Sequence, residues 1–298
     1  YKRQVSSCFM GDLKRADAHL SHAVTLYEGE VAAGAAVLGV EDPGVASLAW
    51  LARTSWYLGK PSVALQRAEQ AVALAYEREH PFSRAYALSF QAHVHQLRDE
   101  PERVLDCAQE AFELSSHHSF PWWRLVSKLL RGWALSKSGS PEDGLAELRQ
   151  GLRPNDPREV ALPQIGFRSL YIEALIDNAL CDEAEVALNE ATALSEQTGE
   201  RLYDAELSRM RARLLYLRQD RQMSEPIARL LSDAFAVATQ QRARSWQLRT
   251  AIDAVEMAGN PADATEAHRR LQNVLASFKE GYSSGDLRRA RVTLGEAS

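Results

Sequence analysis

The sequence predicts an all-α protein made of repeated helix–turn–helix units. Three patterns point to this fold class. No segment alternates apolar and polar residues with a period of two over a useful length, which argues against β-strands. Turn residues recur at a constant spacing, and small residues recur in the same register. We therefore expect a right-handed superhelical array of about six or seven repeats.

The turn signal recurs every 40 residues, starting at Gly59. Successive steps fall on Asp99, Gly139, Ala179, Gln219 and Gly259. At four of these six positions a proline follows two residues later: Pro61, Pro101, Pro141 and Pro261. Proline suits the first turn of a helix because its missing N–H would have no partner there. Each such site is therefore typical of a helix, a tight turn and a second helix.

Small residues keep the same register as the turns. Ala52 and Ala92 precede two of the turns by seven residues, and Ala64 follows the first turn by five. Small side chains let the two helices of a repeat approach closely, and stacking of successive repeats buries one continuous core. This is the tetratricopeptide (TPR) pattern, whose usual unit has about 34 residues. Repeats of 40 residues imply longer helices or longer connectors.

We expect one TPR-like repeat domain over 1–298, cut from a longer protein because the chain starts at Tyr1 rather than at Met. Its predicted parts are a partial first repeat over 1–28, a connector over 29–45, repeats over 46–280 and a C-terminal cap over 281–298. Within the repeats, the run QTGERLYDAELSRMRARLLYL is predicted to form one long helix.

Composition and charge exclude several classes of protein. The 298 residues are 25% charged with a net charge of −5, which lacks the basic balance of a nucleic-acid-binding domain. The three cysteines, Cys8, Cys107 and Cys181, are too far apart for a zinc motif or a disulfide framework. No signal peptide and no apolar run long enough to span a bilayer is found. We predict a cytoplasmic protein that contacts neither nucleic acid nor membrane.

Sequence motifs for catalysis are absent. The chain has no Gly-x-x-x-x-Gly-Lys-Ser/Thr phosphate loop, no His-Glu-x-x-His and no Gly-x-Ser-x-Gly. His93 and His95 lie two residues apart, so on a helix they face different ways and do not form a metal pair. We therefore predict no catalytic residue, no metal site and no cofactor, and we do not expect this chain to be an enzyme.

A candidate binding groove follows from the repeat register. In arrays of this kind the first helix of each pair lines the concave surface. On these helices the register selects a stripe that we predict to bind a ligand or partner: Arg53, Trp56, His93, Gln96, Trp133, Glu206, Arg209, Arg213 and Tyr216. Aromatic rings beside arginine and histidine suit a planar or anionic ligand, through stacking and charge-assisted hydrogen bonds.

Simpler explanations fit the same residues. Trp56 and Trp133 can pack between helices while the arginines lie in solvent. Glu206, Arg209 and Arg213 are spaced i, i+3 and i+7, so they can form helix-surface ion pairs worth about 0.2–0.5 kcal/mol each. The sequence alone leaves these explanations and the binding groove open.

Longer runs of the chain resemble one known family. The segments DPGVASLAWLARTSWYLGKPSVALQRAEQAVALA, LRGWALSKSGSPEDGLAELRQGL and SFKEGYSSGDLRRARVTL are similar to the C-terminal TPR region of bacterial AAA-like (STAND-type) signalling ATPases. In that family an adenylate/guanylate cyclase domain or a DNA-binding activator domain often lies at the far N-terminus, and maltose-responsive activators are related. The resemblance implies a sensor arm that controls an attached ATPase or effector.

Three functions stand as hypotheses. The first is a non-catalytic regulatory module that binds a ligand or a protein partner and biases an attached ATPase, in bacterial signalling or transcription regulation. The second is a plain scaffold that docks a peptide or helix in the groove. The third is an oligomerisation element formed by the irregular fifth and sixth repeats or by the capping helix.

Overall fold

The structure is a computed structural model, and it describes residues 2–32, 41–152, 165–259 and 261–296. Helices and turns make up these residues, with no strand among them. The helices are α1 Lys2–Phe9, α2 Leu13–Ala32, α3 Pro43–Tyr57, α4 Pro61–Glu77, α5 Pro81–Leu97, α6 Pro101–His117, α7 Pro121–Lys137, α8 Pro141–Leu152, α9 Ile165–Asp177, α10 Cys181–Thr198, α11 Asp204–Arg218, α12 Glu225–Gln240, α13 Arg244–Glu256, α14 Pro261–Ala276 and α15 Gly285–Thr293. The all-α prediction is confirmed.

Proline marks the start of many of these helices, as the sequence predicts. Seven helices of the described ranges begin at a proline: Pro43, Pro61, Pro81, Pro101, Pro121, Pro141 and Pro261. The fixed φ of proline suits the first helical position, and its missing N–H leaves no intrahelical hydrogen bond unmade. The prolines therefore set where both the first and the second helix of a repeat can start.

The backbone of the tight turns repeats with the predicted spacing of 40 residues. Gly59, Asp99, Gly139 and Ala179 have φ values of 82°, 58°, 89° and 55°. A left-handed residue is a common way to end a helix, because it turns the chain away while the last carbonyls stay bonded. The next turn is stretched by one residue, and its left-handed backbone begins at Asp220. The repeat register read from the sequence is thus the register of the fold.

The predicted long helix over QTGERLYDAELSRMRARLLYL is wrong. The α10 helix ends at Thr198, and Gly199 follows it in the left-handed region with φ 73°. The Gly199 N–H donates to the Ser195 carbonyl over 2.9 Å, which closes the helix end. The α11 helix begins only at Asp204. The run therefore contains a helix end, a short turn and a new helix.

The connectors are only partly described. The α2 helix continues to Ala32 and α3 begins at Pro43, so helix extends into both ends of the predicted connector 29–45. Residues 33–40, in the middle of that connector, lie outside the described residues, as do residues 153–164 between α8 and α9. The predicted C-terminal cap contains α15, Gly285–Thr293.

The chain divides into two compact bodies. The N-terminal half comprises residues 1–56 and 61–162, and the C-terminal half comprises residues 57–60 and 163–298. In the N-terminal half the small residues Ala64, Ala68 and Ala71 of α4 are fully buried, at 0% exposure. In the C-terminal half, the side chains that pack α13, α14 and α15 together include Leu248, Ile252, Leu271, Phe278 and Leu287. A single repeat domain over the whole chain stays a prediction.

The helices α7 and α8 approach each other most closely at two glycines. A Cβ added at Gly144 would lie 2.5 Å from the Gly132 carbonyl oxygen and 2.5 Å from the Ser136 amide nitrogen. No side chain fits at that distance from backbone atoms. Both glycines belong to the small-residue register predicted from the sequence, and the contact gives a physical reason for it.

We expect Gly144→Ala to destabilise the protein by about 1–3 kcal/mol, because the new methyl group forces α7 and α8 apart. Helix propensity alone would act in the opposite direction by about 1 kcal/mol. The measurement is the free energy of unfolding in urea. The control is Ala146→Gly, at an exposed position of the same helix, which reports the propensity effect alone. Stabilisation by Gly144→Ala would contradict the close approach.

Candidate functional site

Aromatic side chains join successive first helices in the N-terminal half. The ring centroids of Phe9 on α1 and Trp50 on α3 are 5.4 Å apart, and those of Trp50 and Phe90 on α5 are also 5.4 Å apart. Tyr86, stacked on Phe90, meets Trp123 of α7 edge-on at 4.7 Å. Edge-to-face and offset arrangements of this kind are favourable contacts between aromatic rings. An aromatic ladder therefore runs from α1 to α7.

The predicted residues Arg53 and His93 meet beside this ladder. The Arg53 guanidinium carbon lies 4.9 Å from the centre of the Trp50 ring and 5.6 Å from that of Phe90, and the side chain is buried. Burial holds the pKa of His93 well below its usual value of 6.5, and the nearby Arg53 charge lowers it further. The imidazole is therefore neutral at neutral pH, next to a cation held over two aromatic rings.

The other predicted residues of this half are packed in the protein interior as well. Trp56, Gln96 and Trp133 are each at most 4% exposed. The ammonium group of Lys137 lies 5.6 Å from the centre of the Trp133 ring. Burial of this kind agrees with packing between helices, the simpler of the two explanations. Their contact with a ligand stays a prediction.

The buried neutral His93 makes stability depend on pH. Because the folded pKa lies below the unfolded value of 6.5, the unfolded chain binds a proton first as the pH falls. Stability is therefore complete above pH 6.5 and is lost below it, by up to about 1.4 kcal/mol per pH unit. We expect urea unfolding between pH 7 and pH 5 to show this slope, and the slope to be smaller in His93→Gln.

The matched control is His117→Gln on α6, where the ring is exposed and loses little water on folding. This variant should keep the slope of the unchanged protein. An equal slope in the His93→Gln variant and the unchanged protein would show that His93 is not the group responsible.

In the C-terminal half, ion pairs join the first helices beside an aromatic contact, that of Tyr203 with Trp246 of α13 at 5.8 Å between ring centroids. Arg209 on α11 lies between two carboxylates, Glu206 on its own helix and Asp253 on α13. Its Nε and Nη2 donate to Glu206 over 2.8 and 2.7 Å, and its Nη1 donates to Asp253 Oδ2 over 2.5 Å. The three side chains are 2%, 2% and 0% exposed. They are therefore neither surface ion pairs nor groups that solvent reaches.

A second buried arginine extends this network to α15. Arg249 of α13 lies 3.6 Å from Glu206 through its Nη1 and donates from Nε to Asp286 of α15 over 2.8 Å. Burial alone would lower the pKa of Arg249, but Asp286, Glu206 and Glu173 raise it above its usual value. The guanidinium therefore stays charged and links α11, α13 and α15.

Two partly exposed pairs form the accessible edge of the network. Arg289 of α15 donates to Asp253 Oδ1 over 2.9 Å and to Glu256 Oε1 over 3.0 Å. Its side chain is 41% exposed, and that of Glu256 is 39% exposed. The predicted residue Arg213 donates to Asp177 of α9 over 2.8 Å, and both are partly exposed. A partner in solution can reach these pairs, whereas it cannot reach Arg209.

The charges at the centre of the network stay ionised. Burial alone would raise the pKa of Asp253, but Arg209, Arg213 and Arg289 surround it and hold the pKa below its usual value of 3.8. Burial would likewise lower the pKa of Arg209, and Glu206 and Asp253 more than reverse this effect. The low dielectric of the interior strengthens both attractions. Asp253 and Arg209 thus keep each other charged.

Five residues of this network, all on α13 and α15, were missed by the sequence reasoning, although the 40-residue register points to most of them. One more step of 40 residues from Arg209 leads to Arg249, and the same step from Arg213 leads to Asp253. Glu256 likewise follows Tyr216 by one repeat. The predicted stripe ended at α11, whereas the charged residues continue on α13 and on α15, where Arg289 follows Arg249 by the same 40 residues. Tyr216 itself is half-buried and packs against the apolar cluster of Ala212, Ile227, Leu231 and Met257.

We expect Arg209→Met to destabilise the protein by about 3–5 kcal/mol, because it leaves Glu206 and Asp253 buried with too little positive charge. The control is Arg229→Met, which breaks an exposed pair with Glu225 on α12 and should cost no more than about 1 kcal/mol. Thermal and urea unfolding measure both. Equal losses in the two variants would contradict the buried network.

One open cleft lies elsewhere in the C-terminal half, between α14 and α15. Its volume is about 440 Å³, and its lining residues are Gln272, Leu275, Ala276, Tyr282, Arg291, Leu294 and Glu296. The Tyr282 side chain is half exposed at its rim. Within the described ranges, no group of three or more His, Cys, Asp or Glu side chains is arranged to hold a metal ion. No helix in those ranges combines the length and the apolar character needed to cross a membrane.

Comparison with known proteins supports the fold through structure rather than sequence. No protein-family model matches the chain, and no curated protein matches it either. A Rap protein complexed with Competence and Sporulation Factor aligns with 94% of this chain and 75% of its own, at 13% identity and a TM-score of 0.68. The apo form of RapI aligns with 99% of this chain and 97% of its own, at 10% identity and a TM-score of 0.57. The TPR-like repeat fold is thus confirmed, and at these identities the likeness extends no further than fold.

Proposed function

We propose that this chain is a non-catalytic regulatory module that binds a ligand or protein partner along the first helices of its repeats. The observation that carries the proposal is the charged network on α11, α13 and α15, which buries Arg209 between Glu206 and Asp253. The predicted residues of the stripe are its proposed binding determinants in two ways. Arg213 and Tyr216 are partly exposed and contact the partner, and the buried residues shape the surface that it contacts: Arg53, Trp56, His93, Gln96, Trp133, Glu206 and Arg209.

The energetics of the network favour a role beyond stability. Moving charged groups out of water costs several kcal/mol per ion, and well-packed apolar side chains often stabilise a core equally well. The N-terminal half uses such a solution, with aromatic rings joining α3, α5 and α7. Ionic contacts between the first helices of the C-terminal half therefore suit recognition of a partner. The partner contacts Arg213 or Arg289, and the buried charges hold these two arginines in position.

A structural neighbour supports the idea of partner binding by this fold. The Rap protein aligned above was crystallised complexed with Competence and Sporulation Factor. We transfer from it only the idea that an array of this fold holds a factor. Both this neighbour and the absence of catalytic sequence motifs favour a binding scaffold over an enzyme.

The regulatory part of the proposal rests on the resemblance to bacterial STAND-type signalling ATPases. In the proposed mechanism, a ligand or partner binds one arrangement of the repeats more tightly than another and so biases an attached ATPase or effector. A ligand with equal affinity for both arrangements would shift nothing. This module would act in the cytoplasm and would contact neither nucleic acid nor membrane.

The experiment is a thermal-shift screen of the chain against bacterial metabolites, nucleotides, sugars and short peptides. A ligand that binds only the folded state stabilises it by about 2.7 kcal/mol at 100 times its dissociation constant. We expect at least one compound or peptide to raise the melting temperature in proportion to its concentration. The rise should be lost in Arg213→Met, which removes a partly exposed charge of the predicted stripe.

The matched control is Arg229→Met, which removes an exposed arginine of the second helix α12 and should leave the thermal shift unchanged. Hits that bind both variants equally would place the site elsewhere and contradict the proposed stripe. Stabilisation by peptides alone would favour the plain scaffold over a small-molecule sensor. No shift with any compound or peptide, on folded protein, would contradict ligand binding by this chain.

Self-association is a second candidate, favoured by the cleft between α14 and α15. The cleft combines apolar walls at Leu275 and Leu294 with the half-exposed ring of Tyr282. Sedimentation at increasing protein concentration tests this candidate, because a dimer formed there should be weakened by Leu275→Glu. A monomer at all concentrations would exclude it.

A further inference from the structure

The helices α11, α13 and α15 each contribute to the network an acidic residue and an arginine that lie about one turn apart. The pairs are Glu206 and Arg209, Arg249 and Asp253, and Asp286 and Arg289. The spacings are three, four and three residues, so both members of each pair lie on one face of their helix. The order of signs along the chain alternates from one helix to the next, which is the arrangement that lets every charge meet an opposite one.

This arrangement produces two charge bridges. One has a carboxylate between two arginines, and the other has an arginine between two carboxylates. In the first, Asp253 of α13 accepts hydrogen bonds from two arginines, Arg209 on one oxygen and Arg289 on the other, over 2.5 and 2.9 Å. In the second, Arg249 of α13 lies 3.6 Å from Glu206 and 2.8 Å from Asp286. Both bridges run from α11 to α15 through a charge on α13.

We propose that these two bridges couple α15 energetically to α11, so that displacement of α15 loosens the predicted binding face of α11. The coupling passes through Asp253 and Arg249 and does not require α11 and α15 to touch. It is independent of which ligand the chain binds, so it goes beyond the proposed function. The C-terminal helix thereby becomes a control element for a face two repeats away along the chain.

Arg289 is the residue of the bridges at which this coupling can be controlled. Asp253 is fully buried, so each of its two arginines must offset part of the same desolvation cost. Arg289, 41% exposed, is the member that solvent or a partner can reach. When the Arg289 side chain moves away from Asp253, Arg209 must neutralise Asp253 while it stays paired with Glu206. The free-energy cost is then borne by α11, because the charges in such a network are not independent of one another.

Hydrogen exchange measured by mass spectrometry on the whole chain tests the coupling. The variant is Arg289→Met, which removes the charge and keeps a long apolar side chain. We expect backbone amides of α11, around Glu206 to Arg213, to exchange about fivefold faster than in the unchanged protein. The matched control is Arg288→Met on the same helix, where the arginine is exposed and donates to the Ser283 carbonyl. The control should leave α11 unchanged.

A second set of variants tests whether the coupling passes through Asp253. In Asp253→Asn, which removes the shared charge at nearly constant shape, the addition of Arg289→Met should accelerate exchange in α11 no further. Should the full fivefold effect persist there, Asp253 is not the route and the proposal is overturned. The proposal is also overturned if Arg289→Met accelerates exchange only in α13 and α15.

A milder variant covers the case in which Arg289→Met does not fold. Arg289→Lys keeps a positive charge near Asp253 but loses the planar fork that bonds Asp253 and Glu256 together. We expect exchange in α11 to rise by a smaller factor of about two. Unchanged exchange in α11 in a folded Arg289→Lys variant, together with faster exchange in α15, would overturn the coupling.

Discussion

The C-terminal half of this protein depends on the burial of one guanidinium, that of Arg209, between Glu206 and Asp253. A charge removed from water must meet opposite charge at hydrogen-bond distance, or the folded state loses several kcal/mol. This requirement fixes the position of α11 against α13, because only one relative placement brings Arg209 Nη1 to Asp253. Asp253 in turn requires Arg289, so α15 is positioned by the same constraint.

Successive first helices are joined mainly by aromatic contacts in the N-terminal half and by ion pairs in the C-terminal half. Successive first helices must contact each other in any stacked array. The N-terminal half makes this contact with rings such as Trp50, Phe90 and Trp123, which tolerate many small shifts. The C-terminal half adds to the Tyr203–Trp246 ring contact a set of charge pairs whose geometry is specific and whose edge is open to solvent at Arg289. The C-terminal half is therefore the better place for a partner to change the spacing of the helices.

The sequence predicted the fold well because its signals are local. The 40-residue register appears directly as left-handed turns at Gly59, Asp99 and Gly139, and the prolines start the helices that they were predicted to start. One local signal was overlooked, since Gly199 ends a helix that was predicted to continue. The site was harder to predict because burial is not local. The spacing of Glu206 and Arg209 is the same for a surface pair and for a buried one, and only the position of Asp253 on another helix distinguishes them.

Asp253 is an ionised, buried anchor shared by two arginines. A carboxyl ¹³C NMR titration of the folded protein tests its ionisation, with Asp253→Asn used to assign the signal. We expect the Asp253 carboxylate to remain ionised down to pH 3.8, its usual pKa, and to take up a proton only at lower pH or when the protein unfolds. A signal that is half protonated at pH 3.8 or above in the folded protein would show that the arginines do not hold Asp253 in its ionised form.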